Sequence, residues 1–372
     1  MTRNPLHSLC PYFAMFPEDF VRDHTEEYTR RGDVVLDCFS GRGTTLLEAL
    51  LMDRRAAAID VNPVAYCISG AKAEIPDYDQ LVLRIDDLEW MYEQTPRSIL
   101  DAECQSLPPF FGRAFHRETL RQILFLRHAL NWRRSRTDRF IAALCLGSLH
   151  GEHDKSSSYF SNQMPRTIST KPAYSLNYWR DNNMWASKRD VFSILQSRTE
   201  LRYEAKHPND DGRVVLGDAR LASQRFRELT GKVRAVITSP PYYDVTNFEE
   251  DQWLRLWFLG YASKPTYSSV SRDDRYRSVD TSPYWNFLAS VWRGLAPLMR
   301  PTSFIVCRIG AKGIAQPLLT KKLRESLAGA FRHLEMVEKP RLTEIRNRQR
   351  DRFQPGTRGC VFEIDYVFSV RQ

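Results

Sequence analysis

Residues 33–40 form an apolar, β-branched run that ends directly in Gly41-Arg42-Gly43. A run of that length reads as one buried strand, and the glycines that stop it allow a turn that other residues make only under strain. Thr44 to Met52 follows, with a threonine expected at the N-cap and strong helix formers behind it. Arg55–Asp60 reads as a second short strand, and Asn62-Pro63 opens another helix with proline in its first turn. Strand, helix, strand, helix is the start of a parallel α/β sheet.

The alternation then stops. Residues 77–205 hold no convincing buried strand; Phe115, Leu120, Ile123, Leu124 and Leu130 fall near helical spacing, and Phe140–Leu149 reads as a further helix. An arginine-rich helix is expected near 113–139, and a polar, proline-punctuated loop over 156–180. The sheet pattern resumes at Val214–Asp218 and Ala235–Ser239. A helix at 284–299 then precedes a strand at Ser303–Ile309, and a helix near 317–329 precedes a strand around Leu334–Lys339. Val361–Val370 is the last strand. The last two strands are expected to pair as an antiparallel hairpin. The organisation expected is a sheet domain from 1–76 and 206–372, interrupted by a mostly helical insertion at 77–205.

Charge narrows the partners. Lys and Arg number 54 against 45 Asp and Glu, a net +9. Residues 112–139 carry +6 and residues 339–358 carry +5, so the remainder is close to neutral. Two basic stretches on a neutral body fit a polyanion partner; two solvated basic surfaces fit the count as well. No apolar run reaches the roughly 18 residues of a membrane span, and the first residues lack the apolar core of a secretory signal. The seven cysteines are scattered and form no CxxC pair, so neither a disulfide framework nor a metal site is expected, and a cytoplasmic setting is.

Two motifs carry chemistry. Asp37–Thr45 sits at a strand-to-helix turn, but it has no GxxxxGK[ST] and lacks the third glycine of a dinucleotide fingerprint. Taken alone, it fits a structural turn as well as a ligand site. Thr238-Ser239-Pro240-Pro241-Tyr242 ends a buried strand, where two prolines remove backbone donors and leave acceptors outward.

Together they resemble the DNA amino-methyltransferases, which use S-adenosylmethionine to methylate an exocyclic base nitrogen. Phe39–Gly43 matches that family's FxGxG cofactor motif, and Ser239–Tyr242 its (D/N/S)PPY catalytic motif. His7–Pro17, with Phe13, is similar to the segment that the family places against the methionine end of the cofactor. The resemblance covers residues 5–75 and 212–370 and implies a Rossmann-like class I methyltransferase fold, mostly parallel with an antiparallel last strand. It implies a cofactor set in which Asp37 takes the ammonium side, Gly41 and Gly43 admit close approach, Asp60 holds ribose hydroxyls and Asp218 lies near the adenine amine. Phe39, Thr44 and Asn62 complete that set. Asp60 also fits a plain cap on the following helix.

The residue types suit the reaction. An exocyclic amine is a poor nucleophile because its lone pair is delocalised into the ring. Ser239 and the Pro240 carbonyl can accept its two N–H bonds and favour a pyramidal nitrogen, and Tyr242 can stack on the base. A target within a duplex must be flipped out. The resemblance therefore implies a site-specific methyltransferase acting on N4 of cytosine in double-stranded DNA, with any cognate restriction endonuclease acting separately. N6 of adenine is the close alternative. An RNA base methyltransferase and a non-catalytic nucleic-acid binder are the other readings. The insertion 77–205 is the expected target-recognition region. Arg133, Arg134, Arg136, Arg166 and Lys171, with Arg346, Arg348 and Arg350, are the candidate DNA contacts.

Overall fold

The computed structural model describes residues 3–12, 17–151, 156–161, 163, 171–242, 248–265, 282–310, 314–345, 360 and 362–371. The chain divides into two compact units. One comprises residues 15–62, 211–247 and 268–372; the other comprises residues 1–14, 63–210 and 248–267.

The first unit carries the sheet. Helix α1 (Glu18–Tyr28) leads to strand β1 (Val34–Asp37), helix α2 (Thr44–Leu51) and strand β2 (Arg55–Asp60). Strands β3 (Gly212–Leu216), β4 (Val233–Thr238), β5 (Met299–Ile309), β6 (His333–Met336), β7 (Arg341–Glu344) and β8 (Phe362–Arg371) complete it. The spatial order is β3-β2-β1-β4-β5-β8-β6, with β7 also paired to β8. β1 to β5 run parallel, and β8 is antiparallel to β5, β6 and β7. This is the expected mostly parallel Rossmann-like sheet with an antiparallel last strand.

The residue pattern explains it. Every residue of β1 is buried, as a central parallel strand covered on both faces requires. One apolar core joins Val34 and Leu36 of β1, Val236 of β4 and Ile305 of β5 to the helices Ser282–Leu295 and Gln316–Ala328. Trp292 and Leu323 lie fully inside it.

The details depart from expectation in three places. Gly43, not a threonine, caps α2: it holds a left-handed φ of 74°, and Thr44 is the first helical residue. The helix before β5 ends at Leu295, and β5 begins at Met299, four residues before Ser303. β8 does pair antiparallel with β6, but β7 also forms, in a stretch expected to be loop.

The regular elements among the other unit's described residues are all helices. The division falls at Pro63 and Asp210 rather than at 77 and 205. The helix Pro63–Ala73 packs on Arg136–Ser148 within this unit, Arg139 lying against Gly70 and paired with Glu74 at 2.6 Å. The segment 113–139 is not one helix. Arg117–Ala129 ends before a turn at 131–134, and Arg136–Ser148 begins beyond it, capped by Ser135. The 156–180 stretch is not all loop either, since Pro172–Asp181 is helical. No described helix is long and apolar enough to cross a membrane.

Candidate active site

The two motifs lie at adjoining strand ends. β1 and β4 pair in parallel, so Asp37 and Thr238 close neighbouring strands on the same side of the sheet. The Thr238 hydroxyl donates to Asp37 Oδ1 at 2.6 Å, and Thr45 Oγ1 donates to the Ile237 carbonyl at 3.1 Å. Ligand sites of open α/β sheets gather at such carboxyl ends.

The glycine turn is held from both sides. Asp37 is 1% exposed and accepts also from the Phe39 amide at 3.0 Å. Asp60, at the end of β2, accepts from the Gly41 amide and the Asn62 amide, each at 2.9 Å. It therefore caps the following chain as well as facing the turn. Arg42, between the glycines, is buried; its guanidinium reaches Glu18 at 2.7 Å and Thr44 Oγ1 at 3.0 Å. Phe39 packs against the core, 6.1 Å from the Phe287 ring.

Burial pushes the Asp37 carboxyl up to about 6, against the Thr238 and Phe39 hydrogen bonds, and pushes Asp60 up to about 6 likewise. The folded chain thus binds these protons more tightly than an unfolded chain, whose carboxyls titrate near 4. The stability this gives is complete below about pH 4 and is lost as pH rises through about 6. Asp37→Asn should remove its share. The stability difference between pH 5 and pH 7, measured by denaturant unfolding, should shrink by about 1 kcal/mol. An unchanged difference would mean that Asp37 titrates normally.

Asp218 lies two residues past β3, and the Gly217 amide ties this strand end to the Asp60 carbonyl at 2.9 Å. Its carboxylate accepts from the Arg220 amide at 2.9 Å and from Arg220 Nε at 2.9 Å. A guanidinium therefore already occupies much of the acceptor expected for an adenine amine.

The Ser239–Tyr242 motif is anchored by residues that no motif announces. Tyr284 donates to the Pro241 carbonyl at 3.0 Å. Ser239 donates to the Tyr242 hydroxyl at 3.4 Å, and Tyr242 donates to Glu363 at 2.8 Å. Burial, then the nearby Glu363 charge, pushes the Tyr242 phenol well above its usual range. The ring is 8% exposed, so the open stacking face expected of Tyr242 is not presented in this arrangement. Gly310 permits the packing: a Cβ there would stand 2.5 Å from Cys360 Sγ and 3.1 Å from the Tyr242 ring.

The candidate DNA contacts divide. Arg133 and Arg134 lie exposed on the turn before Arg136–Ser148, Arg133 donating to the Tyr261 hydroxyl at 3.1 Å. Arg136 stands 3.7 Å from Asp77, and Lys171 stands 3.4 Å from Glu250. Much of the local +6 is neutralised: Arg117 and Arg121 pair with Asp101, and Arg139 with Glu74. Phe13, Arg166, Arg346, Arg348 and Arg350 lie outside the described residues.

Residues 2–69 match the DNA methylase family of N6/N4 methyltransferases. The chain is 26% identical over 277 residues to the type II methyltransferase M.BsoBI of Geobacillus stearothermophilus, covering 70% of this chain and 53% of that protein. A second relative, the type II methyltransferase M.MjaII of Methanocaldococcus jannaschii, is 29% identical over 76 residues, or 20% of this chain and 14% of that one. The chain thus spans about half the length of the first relative and a smaller part of the second. Among solved structures, TrmN from Thermus thermophilus has a TM-score of 0.38 at 11% identity, covering 99% of this chain and 52% of that one. The rRNA methyltransferase aviRa from Streptomyces viridochromogenes has a TM-score of 0.36 at 13% identity, covering 100% and 90%. The family that the two motifs imply is the one matched at the glycine turn itself, and over residues 2–69 the chain is similar to the N6/N4 DNA methylases.

Proposed function

We infer that the chain is a site-specific DNA methyltransferase that modifies the exocyclic N4 of cytosine in double-stranded DNA. The observation that carries this reading is the Asp37–Thr238 hydrogen bond, which fixes the glycine turn beside Ser239–Tyr242. The donor set fits S-adenosylmethionine. Two carboxylates, Asp37 buried and Asp60 partly buried, stand at the strand ends, and the cation in the glycine turn, Arg42, is already paired with Glu18. Such a set suits a cationic ligand with hydroxyls and not a phosphate.

When bound, S-adenosylmethionine supplies a methyl group on a positively charged sulfur. Asp37 would hold the ammonium side, Gly41, Gly43 and Thr44 the close backbone approach, and Asp60 with Asn62 the ribose side. Asp218 would serve the adenine edge in competition with Arg220. Ser239 and the Pro240 carbonyl would accept the two N–H bonds of a flipped base and align its nitrogen for direct transfer. Pro241 fixes the loop through Tyr284, and Tyr242 would lie beside the base while its hydroxyl stays on Glu363. The serine at 239 favours cytosine over adenine by resemblance to the family.

Transfer of a tritiated methyl group to duplex DNA, followed by nucleoside analysis, tests this reading. N4-methylcytosine is the expected product. N6-methyladenine would correct the target base, labelled RNA alone would correct the substrate, and no transfer to any nucleic acid would overturn the reading.

Arg133, Arg134, Arg136 and Lys171 are proposed to track phosphates. The triple change of Arg133, Arg134 and Arg136 to Gln should weaken binding to all duplexes alike. It should lower the salt slope of log K by roughly 0.9 for every phosphate no longer neutralised, with sequence preference intact. Fluorescence anisotropy across a salt series measures it. An unaltered slope would move the DNA away from this turn.

A further inference from the structure

A serine in the catalytic motif poses a problem that an aspartate does not. An ionised carboxylate only accepts hydrogen bonds, whereas a hydroxyl carries a proton of its own. For Ser239 to accept an amine N–H, that proton must point elsewhere. The residues around it provide the direction. An ionised Glu363 can only accept, so the Tyr242 hydroxyl, 2.8 Å away, must donate to it. The Tyr242 oxygen is then left as an acceptor, and Ser239, at 3.4 Å, donates to it. That contact is long for an O–H···O bond, so its value lies in orientation more than in strength.

We propose that Glu363 is a positioning residue of the methyl-transfer site: by holding Tyr242 as its donor, it turns the Ser239 proton away from the substrate and leaves the Ser239 lone pairs to the target amine. The proposal rests on the reading of Ser239 as the residue that meets that amine.

The surroundings of Glu363 are built for this. It sits near the start of β8, partly buried. Arg308 on β5 holds Asp365 through two bonds of 2.6 and 2.8 Å and stands 3.7 Å from Glu363. On β7, Thr343 lies opposite Glu363, Arg341 opposite Asp365 and Glu344 opposite Phe362. Tyr242 reaches it from the motif loop, and Cys360 is the titratable group just before the strand. Burial pushes the Glu363 carboxyl above its ordinary range, and Tyr242 and Arg308 oppose that rise. Protonation would make Glu363 a donor and release the fixed direction, so transfer should fall on the acid side.

The test compares Glu363→Gln, Tyr242→Phe and the double variant in single-turnover methyl transfer to DNA across pH, with S-adenosylmethionine saturating at every pH so that the Asp37 and Asp60 titrations do not enter the rate. Circular dichroism confirms folding. A carboxamide both donates and accepts, so E363Q should lower the transfer rate about tenfold, abolish the acid limb and leave cofactor and DNA affinities within about twofold. Y242F should act similarly, and the double variant should be no slower than either single one, because one chain of hydrogen bonds is cut in each. A second readout is independent of turnover. The infrared carboxylate band that E363Q removes should titrate at higher pH in Y242F, since the phenol bond that favoured the ionised form is gone. Wild-type rate and acid limb in E363Q would overturn the proposal while leaving the functional reading intact, provided Ser239→Ala still lowers transfer by about 10²-fold. Wild-type transfer by Ser239→Ala would overturn both. If E363Q does not fold, Y242F decides: an unchanged rate and an unmoved carboxylate band would overturn the proposal.

Discussion

Ser239→Ala should lower methyl transfer by about 10²-fold or more while leaving S-adenosylmethionine affinity near wild type. The separation follows from where the side chain points. Its hydroxyl donates to Tyr242, toward β8, whereas the carboxylates assigned to the cofactor stand at the ends of β1 and β2. Removing Oγ would take away the acceptor proposed for the amine, which matters most as the nitrogen becomes pyramidal and its N–H bonds polarise. A bond that strengthens in the transition state appears in the rate and not in cofactor binding. Calorimetry with S-adenosylmethionine, alongside single-turnover transfer to DNA, separates the two. Weakened cofactor binding, with the rate restored at saturation, would make this loop part of the cofactor cradle.

The central strands and the turn between β1 and α2 are legible in the sequence because their signals are local. A buried β-branched run, two glycines and a helix former occupy 20 consecutive residues, 33–52. β7 is not legible, since Arg341–Glu344 is exposed throughout and shows no apolar alternation. At α2, Thr44 has the chemistry of a cap, but the left-handed turn needs Gly43 one residue earlier. Charge misleads for a different reason. A count along 112–139 cannot see Asp101, Glu74 and Asp77, which come from other helices or turns.

The supporting shell of the site is hidden from the sequence for want of proximity. Tyr284 is 43 residues from Pro241 and Glu363 is 121 from Tyr242, so no motif spans them. One signal is available. Glu363 and Asp365 interrupt an apolar last strand two residues apart, hence on one face. Two acids on one face of a strand expected to be buried require a partner. Arg308 is the corresponding break in β5, and the register sets it opposite Asp365.

Asp60→Ala should weaken S-adenosylmethionine binding by roughly 10- to 100-fold, with duplex DNA affinity unchanged. Two losses add. The first is the acceptor proposed for the ribose hydroxyls. The second is the shape of the turn, because the Gly41 and Asn62 amides both donate to this carboxylate. Each stranded donor costs about 1–3 kcal/mol where water cannot replace the partner, and every 1.4 kcal/mol is tenfold in affinity. Asp60→Asn divides the two. Its amide oxygen can keep one backbone donor, but its NH₂ group faces the other, so it should fall between alanine and wild type. The pH dependence gives an independent sign. Burial holds Asp60 at about 6, and a cationic ligand favours the ionised form. Wild-type affinity should therefore rise as pH rises through about 6 and level off above it, with protons released on binding below that point. Asp37 titrates in the same range, so Asp60→Ala should flatten this dependence in part and leave the Asp37 contribution. Calorimetry at pH 5, 6 and 7.5 in buffers of different ionisation enthalpy measures affinity and proton release together. A variant that binds as tightly as wild type, with the same proton release, would remove Asp60 from the cofactor site and leave it as the cap of the chain that follows β2.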